Sequence, residues 1–131
     1  MHENNLPEPL LLAYLGDSVL EVMVRRYLVS ACRSAAECNQ KALLFVTAKA
    51  QSEAAKNMLP FLTDGERELF ARFKNAKSPS NPRNVDLYSY RLATGLEAMF
   101  GYWYLCGKKE RMEEIFSLVF LKKEGASDGK L

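Results

Sequence analysis

Two acidic residues stand where helical packing alone would not put them. Asp17 lies within Leu10-Leu11-Leu12-Ala13-Tyr14-Leu15-Gly16-Asp17-Ser18-Val19-Leu20. Aspartate is a poor mid-helix residue, because its short side chain competes for nearby backbone groups. Gly16 beside it costs about 1 kcal/mol more against alanine. A segment that keeps both has a use for them, and Gly16 would let another backbone or a ligand come close. Glu97 lies within Leu96-Glu97-Ala98-Met99-Phe100, whose apolar neighbours imply a packed helix. An ionised carboxylate near a core costs several kcal/mol unless it meets a cation. Magnesium would supply one: it takes oxygen ligands, keeps several waters, and is typically held by one or two carboxylates plus substrate phosphate. Such an ion activates water and stabilises transition-state charge.

A plainer arrangement fits the same spacing. Asp17 and Glu21 would form a solvated ladder with Arg25 or Arg26, and Glu97 would face water. Asp86, Tyr90 and Glu97 lie near one helical stripe, because eleven residues is close to three turns. Asp86 therefore either extends an acidic face or is a first-turn carboxylate favoured by the helix dipole. Asp86 and Glu21 are candidate helpers to the main pair.

Other chemistries find little support. Gly16-Asp17-Ser18 has the start of an esterase motif, but the one histidine is His2, far from any serine that needs a base. Gly101 to Gly107-Lys108 is one residue too long for a phosphate loop, and neither Ser nor Thr follows the lysine. Cys32, Cys38 and Cys106 lack Cys-x-x-Cys spacing and are odd in number, which argues against a disulfide framework or zinc site and suits a reducing cytosol. No apolar run approaches the roughly 18 residues of a membrane span. The start, Met1-His2-Glu3-Asn4-Asn5, has no basic n-region, so a soluble cytoplasmic protein is expected.

The net charge of the 131 residues is only +2, so a nucleic-acid site must come from local clustering. Arg72, Lys74, Lys77 and Arg83 supply that cluster, with no acid between residues 72 and 84. Asn75, Ser78 and Asn81 add neutral hydrogen-bonding groups. The mixture suits phosphate and 2′-hydroxyl contacts across an RNA minor groove; a solvated turn is the alternative. Lys108, Lys109 and Arg111 form a second basic group, read as helix-cap chemistry.

The elements that must position these residues are helical. Strand signals are poor, and 48% of the chain is hydrophobic, enough for one packed domain. The first helix is predicted from about Pro9 to Val29, with Leu12, Leu15, Val19 and Val22 at helical spacing; that stripe serves either the core or a partner subunit. A capping box at Ser34-Ala35-Ala36-Glu37 opens a helix to about Asn57, and a second at Thr63-Asp64-Gly65-Glu66 opens one to Phe73 or Lys74. Residues 75–84, with Pro79 and Pro82, form a loop. A long helix from Val85 to Cys106 follows, with Gly107 as its C-cap and with Trp103 and Tyr104 in the core. A last helix covers Lys109 to Lys122, and Glu124 to Leu131 read as a frayed tail, leaving residues 1–123 as the domain. The sum is an all-α bundle of five to seven helices.

The segment Leu12 to Glu21 resembles the signature helix of the ribonuclease III family, whose core reads Leu-Gly-Asp-(Ser/Ala)-(Val/Ile)-Leu. Ala93 to Leu105 is similar to the family's other acidic helix, with its Glu-Ala-(Leu/Met)-(Ile/Phe)-Gly core. Both occur in order, 80 residues apart. No double-stranded-RNA-binding domain is expected to follow; with the basic residues 72–83 and Tyr88-Ser89-Tyr90-Arg91, this resembles the Mini-III branch. The resemblance implies a ribonuclease III helical bundle. It also implies a homodimer with two active sites along a duplex-RNA valley, and maturation of large-subunit ribosomal RNA with a ribosomal protein as candidate accessory factor.

Carried over residue by residue, Asp17 and Glu97 match the two acids the family depends on most. The usual glutamates four and seven residues before the aspartate are Ala13 and Leu10 here, and the usual aspartate three before the second glutamate is Thr94. Of the four usual metal-ligand positions, those of Ala13 and Thr94 thus lack a carboxylate. The expected reaction is magnesium-dependent hydrolysis to a 5′-phosphate and 3′-hydroxyl, with Asp17 and Glu97 holding the metal and Arg72, Lys74, Lys77 and Arg83 gripping the backbone. The rivals are a duplex-binding module without catalysis and a helical protein-interaction adaptor.

Overall fold

The structure, a computed structural model, describes residues 5–76 and 86–121. Among them are six α-helices and no strand: α1 (Pro9–Ala31), α2 (Ala35–Val46), α3 (Ala48–Met58), α4 (Asp64–Lys74), α5 (Leu87–Leu105) and α6 (Lys109–Phe116). A 3₁₀ turn, Leu59–Phe61, joins α3 to α4, and a π turn, Ser117–Leu121, follows α6. Among these residues no helix is long and apolar enough to cross a membrane. Lys77, Arg83, Val85, Lys122 and the expected tail Glu124 to Leu131 lie outside the described residues.

The helix ends follow from short polar side chains. Thr63 accepts from the Glu66 amide, and Glu66 Oε1 accepts from the Thr63 amide at 2.9 Å, a complete capping box. Ser34 accepts from the Glu37 amide at 3.1 Å, but Glu37 reaches back one residue further, to the Arg33 amide. Gly107, at φ 71°, ends α5: the Lys108 amide donates to Trp103 O and the Gly107 amide to Tyr104 O, which closes two otherwise orphaned carbonyls.

Two helices differ most from expectation. The single helix expected up to Asn57 is broken at Thr47. That residue leaves helical geometry, at φ −70° and ψ 157°, and its hydroxyl accepts from the Ala50 amide at 3.1 Å. It thereby ends α2 and caps α3, and the chain turns. The last helix keeps α geometry only to Phe116 before widening into the π turn.

Helix α5 is the centre of the bundle, packed against α1, α3 and α4. Phe100, Trp103, Leu96 and Met99 are fully buried along it, and Leu12, Val24 and Leu28 answer from α1. The α1–α5 crossing is backbone against backbone. A Cβ at Gly16 would overlap the Glu97 carbonyl, and one at Gly101 would overlap the Leu12 carbonyl. Arg111 pins α6 to α4: its guanidinium donates to both Glu66 oxygens, at 2.7 and 3.0 Å, to Glu114 and to the Phe61 carbonyl. Trp103 Nε1 donates to the same Glu66 carboxylate. Arg111 is thus an internal tie rather than a cap residue.

Candidate active site

The glycine pair decides where the acids meet. Gly16 lets α1 touch α5 at the Glu97 backbone itself, so Asp17, the next residue, stands beside the Glu97 side chain. Their carboxyl groups share a hydrogen bond, in which the Glu97 O–H donates to the Asp17 carboxylate. Asp17 is exposed and Glu97 partly buried. The Glu97 carboxyl is pushed up to about 8, first by burial, then by its hydrogen bond to Asp17 and by the like charge there. The solvated alternative therefore fails for this pair, although its other half is present: Glu21 pairs with Arg25 at 3.0 Å.

One residue missed in the sequence joins them. Gln51, in the first turn of α3, is only 7% exposed. Its side-chain amide donates to Glu97 and pulls that carboxyl's pKa back down. With Asp17 and Glu21, Gln51 lines a cavity of about 230 Å³ floored by Leu20, Phe45 and Phe120. A signal existed: Gln51, Ala54, Ala55 and Met58 form one buried stripe, and glutamine is its polar member. Ala13 and Thr94, at the positions where acids are usual, are both buried. Among the described residues no group of three or more His, Cys, Asp or Glu side chains gathers.

The candidate helpers divide. Glu21 borders the cavity with its carboxylate engaged by Arg25. Asp86 does not extend the acidic face. It precedes α5 as the N-cap, accepting from the Ser89 amide at 2.8 Å and the Ser89 hydroxyl at 3.0 Å. Those bonds hold its carboxyl below the usual range. The stripe argument assumed Asp86 was inside the helix; at the cap its side chain turns to its own backbone.

Of the basic group, Arg72 and Lys74 lie in the last turn of α4. Arg72 is exposed and stacks on the Phe73 ring at 5.5 Å. The Lys74 Cβ faces Gly95. Gly95 is two residues from Glu97, about 200° around the helix, so these cations do not contact the carboxylate pair of their own chain. Lys77 and Arg83 fall outside the described residues.

The stripe on α1 splits between two surfaces. Leu12 and Val19 are buried, whereas Val22 is 65% exposed and Leu15 half-buried. Leu11 and Tyr14 widen the outer face. Tyr104, expected in the core, is 56% exposed, unlike its buried neighbour Trp103. Leu15, Val22, Tyr104 and Met112 line a surface cavity of about 530 Å³.

The Ribonuclease III domain model matches residues 10–108, which include both acids and the glycine crossing. The chain belongs to the ribonuclease III family and is accordingly an endoribonuclease, a hydrolase. Within that family its curated relatives include Mini-ribonucleases 3. It is 40% identical to the Mini-ribonuclease 3 of Brevibacillus brevis over 94% of this chain and 92% of that one. It is 37% identical to that of Clostridium tetani over 93% and 82%. A crystal structure of protein FN1578 from Fusobacterium nucleatum is similar at 31% identity and a TM-score of 0.78, over 86% of this chain and 93% of that one.

Proposed function

We propose that this protein is a magnesium-dependent endonuclease for double-stranded RNA, active as a homodimer in the cytoplasm. Its product ends are a 5′-phosphate and a 3′-hydroxyl, and its natural substrate is precursor large-subunit ribosomal RNA, with a ribosomal protein as accessory factor. Residues 1–123 form the catalytic unit. The observation that carries this reading is the convergence of Asp17 and Glu97 from helices 80 residues apart in sequence.

The donor set fits a hard divalent cation. Two carboxyl groups in contact, one of them keeping its proton to about pH 8 through burial and like charge, gain most from an added positive charge. Asp17 and Glu97 would hold magnesium, whose remaining positions water and phosphate fill. When bound, the ion supplies a water of lowered pKa and positive charge for the phosphodiester. Asp17, exposed at the cavity mouth, faces the substrate side, and Glu97 beneath it must shed its proton to act as a ligand. Leu20, Phe45 and Phe120 give the cavity beside Asp17 an apolar wall. Arg72 and Lys74, with Lys77 and Arg83, bind the duplex backbone. The exposed face of α1, with Leu11, Tyr14 and Val22, supports the partner subunit's docking there.

The test is cleavage of a perfect RNA duplex in magnesium by the parent, Asp17→Asn and Glu97→Gln. Each variant is expected to cut on the order of 100-fold slower or worse, as when a transition-state charge stabiliser is lost. Parent-like rates in both would remove the assigned site. Duplex binding without cutting by the parent would favour a binding module.

A further inference from the structure

We propose that Gln51 is a positioning residue for Glu97, holding that carboxylate toward Asp17 for metal loading; this rests on the reading that Asp17 and Glu97 carry the cation. The placement of Gln51 is a consequence of the chain's least expected feature. Thr47 breaks the helix and starts α3 afresh, and Gln51 falls in the first turn after the break. From there it reaches α5, against which α3 packs, and it shares the cavity wall with Asp17. Of the other buried residues of α3, Ala54, Ala55 and Met58 are apolar and serve the core, and Ser52 donates its hydroxyl to the Lys49 carbonyl of its own helix. A hydrophobic side chain at position 51 would do that work equally well, so the amide has another purpose.

Its chemistry suits that purpose. Glu97 meets both the Asp17 carboxylate and the Gln51 amide. Two anchors restrict the rotation of the carboxyl group, as partners of metal-ligating carboxylates do in other sites. A lysine or arginine in this place would occupy the position of the cation and repel it. A glutamate would add a third like charge to a pair that already resists full ionisation. Glutamine donates a hydrogen bond to the ionised form and leaves its charge free for the ion. It also partly makes up for Ala13 and Thr94, because a site with fewer carboxylates depends more on how each one is aimed.

The experiment uses the full chain with Gln51→Met, which keeps the length and loses the donor, and Gln51→Ala in case the first packs poorly. Magnesium and manganese binding without RNA is measured by titration calorimetry, beside kcat and KM for an RNA duplex. Circular dichroism checks the fold. Both variants should bind metal about 10- to 100-fold more weakly, the usual effect of losing a partner of a ligand. Their kcat should fall and recover in part at high magnesium, while KM for the duplex stays within about twofold. A purely structural role would lower the melting temperature without moving metal affinity. Parent-like metal binding and kcat in Gln51→Met and Gln51→Ala, with both lost in Asp17→Asn and Glu97→Gln, would overturn this proposal alone. Parent-like metal binding in the latter two would overturn the site reading and this proposal together.

Discussion

Glu97 and Glu66 are both partly buried glutamates, yet their surroundings drive them in opposite directions. Burial and the neighbouring Asp17 raise Glu97 from the ordinary 4.5 to about 8. The folded state then holds a proton that the unfolded chain has released. Its contribution to stability is complete below about pH 4.5 and is lost as pH rises through 8. Burial also opposes the charge on Glu66, but the Arg111 guanidinium, the Thr63 amide and the Trp103 indole outweigh it and lower that carboxyl. Its contribution is present above the ordinary carboxylate value and fades in acid. Without metal, Glu97→Gln should therefore melt above the parent at pH 9, by an amount on the order of a few kcal/mol, and the gap should close toward pH 5. Thermal melts of both proteins in chelator across that range check it; a constant gap would mean that Glu97 is not the titrating group. Metal loading must displace the same proton, so magnesium affinity should rise with pH up to about 8 and level off above it. Calorimetry in buffers of different ionisation enthalpy would count the proton released.

At the scale of the helix, the α1–α5 crossing joins stability to the site. Gly16→Ala should gain about 1 kcal/mol in helix propensity. The new methyl would overlap the Glu97 carbonyl, which is backbone and cannot rotate away. Overpacking of that kind costs about 1–3 kcal/mol or more, so the loss prevails, and the displaced Glu97 should reduce cleavage as well. Gly65→Ala is the contrast: nothing lies within 4 Å of its added Cβ, and stability should hold or rise by up to about 1 kcal/mol. Denaturant melts and duplex cleavage on both variants decide this; a fully stable, active Gly16→Ala would refute the close crossing. Much of this architecture was legible beforehand. Asp17 and Gly16 read as anomalies in a helix because their local cost is known, and Gly107 and the Thr63 box read as ends because the caps are local. The Thr47 break was not legible: Ala50 stands where a capping box would have glutamate, so only packing reveals it. Gln51 was hidden for the same reason, since its role depends on the direction α3 takes after that break. Asp86 shows the reverse error, a correct helical angle applied to a residue just outside the helix.

For the whole molecule the main question is the surface that one copy leaves bare. Tyr14 is 82% exposed, Val22 65% and Leu11 57%, all along one side of α1, with Tyr104 beside them. Isolated exposed apolar residues need no explanation, but a continuous apolar face marks an interaction site. The proposed homodimer assigns this face to a second copy. It also accounts for Arg72 and Lys74 lying across α5 from their own carboxylates, because a duplex spanning two subunits can meet one copy's cations and the other's acids. Val22→Asp would place a charge at the centre of that contact, where its burial costs several kcal/mol. In one copy alone Val22 faces water and supports little of the core, so the fold should survive. Sedimentation should then show the parent as a dimer and Val22→Asp as a folded monomer, its melting temperature lowered only by the lost linkage to dimerisation. Cleavage should fall with dimerisation and return as protein concentration is raised. A variant that is monomeric and still cuts at the parent's rate would show that each copy carries a complete site by itself, and the apolar face would then need a different partner.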